Sequence, residues 1–106
     1  MTWNLWLDDQ LDDPATPNRH TPEGFLGAKS SHEALELVKK HGMPTFIDFD
    51  FDLGGTDTAQ TFLYELQSLY PNGPVPDYRV HSRNVYAKEM IGSFLSSWKK
   101  SLEVDL

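Results

Sequence analysis

Apolar positions along this chain follow two different rhythms, and the switch between them defines the elements. Trp3, Leu5, Trp6 and Leu7 form a short, nearly continuous apolar run, the pattern of a central strand. Phe25 to Lys29, Thr45 to Phe49 and Tyr78 to His81 are three further short runs, each next to turn-forming residues. Between them the spacing becomes helical. Ser30 followed by Glu33 has the form of a capping box, Ala34, Leu37, Val38 and His41 continue at helical spacing, and Gly42 supplies the stop. Ala59, Phe62, Leu63, Leu66 and Tyr70 share one face of a second helix, with Thr56 or Asp57 as its cap and Pro71 to Pro74 as its end. Ser82 to Asn84 open a third helix reaching about Lys100, with Ala87, Ile91, Phe94 and Trp98 as the stripe and Met90 and Leu95 beside it. Strands alternating with helices predict a mostly parallel sheet covered on both faces.

One stretch breaks the alternation. Residues 10–24 hold three prolines and one glycine and read as a long loop in place of the first crossover helix. The orientation of the second strand is therefore left open.

Composition narrows the class. The 106 residues fit one domain, 1–106, and 39% hydrophobic residues suffice for a core. There is no cysteine, which excludes disulfides, thiolate metal sites and a thiol nucleophile. No run approaches the ~18 apolar residues that span a bilayer, and no signal-peptide pattern is present. A cytoplasmic setting, in a bacterial or phage-infected cell, is the expectation. The net charge of −7 repels nucleic-acid backbones and anionic lipids, so neither an extended nucleic-acid surface nor a membrane partner is expected. A phosphate-bearing ligand meets the same repulsion unless a bound cation inverts the local field.

The candidate chemistry sits at the ends of the predicted strands. Asp8 and Asp9 end the first, with Asp12 and Asp13 close behind. Asp48, Asp50 and Asp52 run through and past the third, and His81-Ser82 ends the fourth. In open α/β sheets the strand C-termini are where ligands bind. Neighbouring carboxylates repel one another unless a cation lies between them, and Mg2+ takes one or two carboxylates plus other oxygens. Asp8, Asp9 and Asp50 are thus the metal candidates, with Mg2+ or Mn2+ as the cofactor. Asp50 and then Asp52 are the catalytic candidates, with His81 as proton shuttle. Ser82 and Asn84, at the start of a helix, are candidates for binding phosphate.

Plainer readings stand beside these. One of Asp8 and Asp9 would cap a turn, and Asp48, Asp50 and Asp52 would be the solvent face of a half-buried strand. Ser82 would be only a helix cap, and Trp3, Trp6 and Trp98 core residues. Asp48 is assigned a structural role. A calcium loop starting at Asp50 fails, because Gly54 and Thr61 occupy ligand positions. A dehalogenase-type aspartate motif fails as well, because Leu53 and a second glycine intervene.

Leu5-Trp6-Leu7-Asp8-Asp9, Asp50-Phe51-Asp52-Leu53-Gly54 and His81-Ser82-Arg83-Asn84 with Met90 resemble, in that order, the motifs of the cyclic-phosphate-processing receiver-like domain. That group is related to response-regulator receivers, and its motifs read L-D-D-x-R, D-H-D-L-G and H-S-x-N. The resemblance covers about residues 3–91. It implies a small receiver-like, flavodoxin-type three-layer sandwich with four strands in the order 2-1-3-4 and three helices. It also implies a metal-assisted phosphodiesterase acting on cyclic or terminal phosphates of nucleotides or RNA ends.

Two positions depart from the pattern: the histidine of the middle motif is Phe51 and the arginine of the first is Leu11. Phenylalanine cannot transfer a proton and leucine cannot clamp phosphate. They support an alternative, a non-catalytic binding module such as a phage accessory protein, engaging a basic protein partner through its acidic face. A phosphoaccepting receiver is a weaker third reading, since the receiver lysine has no counterpart.

Overall fold

The structure is a computed structural model describing residues 2–9, 21–50, 58–81 and 85–103. The elements are β1 (Asn4–Leu7), β2 (Phe25–Ala28), α1 (Ser31–His41), β3 (Phe46–Phe49), α2 (Ala59–Leu69), β4 (Asp77–Val80) and α3 (Val85–Glu103). The four strands form one sheet in the order β2-β1-β3-β4. Every neighbouring pair is parallel, which settles the direction of β2. The receiver-like, flavodoxin-type architecture is therefore present, with three helices.

The register explains where the core lies. Leu5 pairs with Ile47 and Leu26, and Leu7 pairs with Phe49 and Ala28. Aligned residues of a parallel sheet share a face, so these side chains point the same way. Leu5, Leu7, Ile47 and Phe49 are fully buried. They join one cluster with Ala34 and Val38 of α1, Phe62 and Leu63 of α2, and Ile91, Leu95 and Trp98 of α3. The connections from β2 to β3 and from β3 to β4 advance in one direction across the sheet. Right-handed crossovers then put α1 and α2 on one face.

Local chemistry sets the helix ends. The Ser30 side chain accepts from the Glu33 backbone N–H at 3.1 Å, as the capping pattern predicts. Gly42 closes α1 at φ 86°, a conformation open mainly to glycine, and its N–H reaches the Val38 carbonyl. The α2 start differs from the expectation. Its N-cap is Thr58, which makes no side-chain cap bond, while Thr56 and Asp57 lie outside the described residues. In α3 the buried stripe is Ala87, Ile91, Leu95 and Trp98, so Leu95 takes the place predicted for Phe94. The helix also continues to Glu103 instead of ending near Lys100. The long loop falls mostly outside the described residues, as do Asp12, Asp13, Asp52, Ser82 and Asn84.

Candidate functional site

The sheet places the candidate residues in rows. Trp6, Asp48 and Arg79 are aligned neighbours on β1, β3 and β4, on the face opposite Leu5 and Ile47. Two residues further on come Asp8, Asp50 and His81. Each is the first residue past its strand, and the ladder continues through all three. Asp8 N–H donates to the Ala28 carbonyl at 3.0 Å, Asp50 N–H to Leu7 at 2.8 Å, and His81 N–H to Phe49 at 2.9 Å. Because side chains alternate with a period of two, this second row shares the face of the first.

Asp8, Asp50 and His81 each bring one potential ligand atom to within 4.8 Å of the others. Asp8 is buried, and Asp50 and His81 are half-buried. Asp9, also half-buried, lies outside this triplet. The structure thus joins two of the three predicted metal candidates, and His81 enters where Asp9 was expected.

The histidine is held from behind. Its Nδ1 lies 2.7 Å from Asp48 Oδ1. A carboxylate can only accept, so this contact assigns the proton to Nδ1. The Asp48 side chain is completely buried, and its second oxygen accepts from Arg79 Nε at 2.7 Å and pairs with Arg79 Nη2. Those donors offset the cost of removing a carboxylate from water. The Arg79 side chain itself remains 65% exposed. Trp6 lies parallel to the His81 ring, with centroids 4.4 Å apart and planes 3° apart, and Phe25 meets Trp6 edge-on. The imidazole is thereby fixed in both tautomer and tilt.

His81 Nε2 faces the Asp8 carboxylate at 3.3 Å. The distance is short enough for charge attraction, but the two groups are not aligned as a hydrogen bond, and Nε2 is buried with no hydrogen-bond partner among the described residues. With the Nδ1 proton committed to Asp48, a neutral ring aims a lone pair at a carboxylate. That arrangement is repulsive unless a cation, either a proton or a metal ion, lies between them. Two carboxylates and one imidazole form a donor set suited to a divalent metal, and a carboxylate behind the ligating histidine is the usual support. The residues therefore fit the implied group. A groove of about 350 Å3 between α2 and α3, lined by Gln60, Tyr86, Met90 and Phe94 among others, includes none of these residues.

Sequence reasoning missed three members of this cluster. The residue pattern gives Asp48 a structural part, puts Trp6 in the core and does not distinguish Arg79 from an ordinary strand residue. The signal was present in the spacing. Trp6, Asp48 and Arg79 each lie two residues before a member of the triplet, which in a strand means the same face.

Comparisons with known proteins bear on the fold and the family. The solved structure of NtrX from Brucella abortus, in complex with ATP, superposes with a TM-score of 0.50 at 18% identity. The match covers 96% of this chain but 28% of that one, and at this identity it speaks for the fold alone. No curated protein matches the chain. The family model described as the cyclic-phosphate processing Receiver domain matches residues 3–97, which span every strand and both motif rows. With nearly the whole chain matched and the strand ends in the receiver order, the protein belongs to the cyclic-phosphate processing Receiver domain family.

Proposed function

We propose that this domain is a metal-assisted phosphodiesterase that processes cyclic or terminal phosphates on nucleotides or RNA ends. The observation that carries the reading is the row Asp8, Asp50 and His81, with Asp48 fixing the far nitrogen of the histidine. The cyclic-phosphate processing for which the family is described supports the same substrate class.

Asp8, Asp50 and His81 Nε2 would hold the cation. Oxygens alone suit Mg2+, whereas an imidazole in the set shifts the preference toward Mn2+. Such an ion, when bound, polarises phosphoryl oxygens and lowers the charge barrier of an acidic site toward an anion. The remaining work falls to the chain. Asp48 keeps the His81 lone pair directed at the cation position, and Arg79 compensates the buried charge of Asp48. The stack with Trp6 stops the ring from turning. His81 has one uncommitted ring nitrogen, so it serves either as ligand or as proton shuttle, and we assign it as ligand. Asp9 is then an outer partner of the site. Asp52 remains a further catalytic candidate, and phosphate contact is assigned to Ser82 and Asn84, on the sequence motif.

The test is turnover of 2′,3′-cyclic nucleotides with Mn2+ or Mg2+ by the wild-type chain and by Asp50→Ala. Metal-dependent hydrolysis that Asp50→Ala removes is the expected result. An inactive wild type, or an Asp50→Ala variant as active as the wild type, overturns it. Phe51 and Leu11 favour the second reading, a binding module. An absence of hydrolysis together with no NMR shifts near Asp8, Asp9 and Asp50 below millimolar Mg2+ would identify that alternative.

A further inference from the structure

We propose that Trp6 is a ligand-binding residue whose indole N–H donates a hydrogen bond to a phosphate oxygen held at the Asp8–Asp50–His81 row. This rests on the reading above and deepens it by naming a contact to the anion. The chain has three tryptophans. Two have their indole nitrogens satisfied: Trp3 Nε1 donates to the Gly42 carbonyl at 3.0 Å, and Trp98 Nε1 donates to the Pro71 carbonyl at 3.3 Å. Trp6 Nε1 is buried with no hydrogen-bond partner among the described residues. Leaving a buried N–H unpaired is costly, so its persistence calls for an acceptor.

The location of this nitrogen narrows what the acceptor is. Trp6 is stacked on His81, whose Nε2 is the other buried side-chain nitrogen without a hydrogen-bond partner among the described residues. Two orphaned ring nitrogens in one stacked pair point to one shared occupant. If a cation meets the acceptor nitrogen of His81, then an oxygen anion beside that cation meets the donor nitrogen of Trp6. Of the other side-chain donors of these rows on β1, β3 and β4, three nitrogens are committed. His81 Nδ1, Arg79 Nε and Arg79 Nη2 all go to Asp48. Asp8 and Asp50 offer carboxylates, which repel phosphate. The indole N–H carries no charge, so it can grip an anion without competing for the cation.

The experiment uses the full chain labelled with 15N and follows the three indole N–H signals and the backbone amides. Mg2+ is added first and then inorganic phosphate. Magnesium should move the amides of Asp8 and Asp50. Phosphate should then move the Trp6 indole signal downfield while those of Trp3 and Trp98 stay in place. Trp6→Phe, which keeps an aromatic ring but removes the donor, should weaken phosphate binding about tenfold. If phosphate moves the Asp8 and Asp50 amides but leaves the Trp6 indole unmoved, Trp6 is only a stacking support and the proposal falls, while the phosphodiesterase reading stands. If neither addition moves anything near Asp8 and Asp50, both readings fall together. The wild-type titration decides the matter even where Trp6→Phe fails to fold.

Discussion

At the scale of single residues, Asp48 has the largest consequence for the site. It is fully buried, accepts from two side chains, and touches none of the positions at which a ligand would sit. Its role is to position His81. Asp48→Asn keeps the shape but places an amide where Arg79 and His81 need a carboxylate. We expect Mn2+ affinity, followed by calorimetric titration, to fall ~10–100-fold, the usual effect of losing a carboxylate behind a ligating histidine. An unchanged affinity would show that Asp48 has no part in metal binding. The sequence disclosed Asp8, Asp50 and His81 because residues at strand ends are chemically conspicuous. It did not disclose the function of Asp48, because an aspartate within a strand reads equally well as a solvent-facing residue until the strands on both sides are known.

At the scale of elements, caps and close approaches set local stability. Ser30 satisfies an N–H at the start of α1, and Ser30→Ala should cost about 1 kcal/mol, measurable by urea denaturation. Gly92 lies inside α3, where a Cβ would come within 2.7 Å of the Tyr78 hydroxyl. Gly92→Ala alone should change stability little or reduce it, because the gain in helix propensity is spent on displacing that hydroxyl. In a Tyr78→Phe background the obstruction is gone, and the same substitution should stabilise by up to about 1 kcal/mol. Equal effects in both backgrounds would mean that Tyr78 moves aside freely. Helix periodicity made α1 legible to within a residue, through Ser30 and Gly42. It misplaced the cap of α2, because Thr56, Asp57 and Thr58 are chemically similar and only the backbone path chooses among them. It also preferred Phe94 to Leu95, since a rotation of α3 against the sheet is invisible in one dimension.

At the scale of the whole molecule, the site ties together three strands that are distant in sequence. A cation bridging Asp8, Asp50 and His81 would bind the folded chain and not the unfolded one. Mn2+ at one hundred times its dissociation constant should therefore add about 2.7 kcal/mol of stability, seen as a rise in Tm. Asp50→Asn should abolish most of that rise. A rise that survives in Asp50→Asn would place the ion elsewhere, for example among exposed carboxylates. None of the described helices is long and apolar enough to cross a membrane. Taken by itself, the amino-acid order determined the alternation of strands and helices, the residues at the strand ends and the family motifs, because periodicity and turn chemistry are local properties. The tertiary structure alone decided that β2 runs parallel. It also decided that Asp48 links Arg79 to His81, and that the Trp6 indole N–H has no hydrogen-bond partner among the described residues. Those outcomes depend on the register between strands, and register is fixed by how the Leu5, Leu7, Ile47 and Phe49 face packs on the helices, which no single segment encodes.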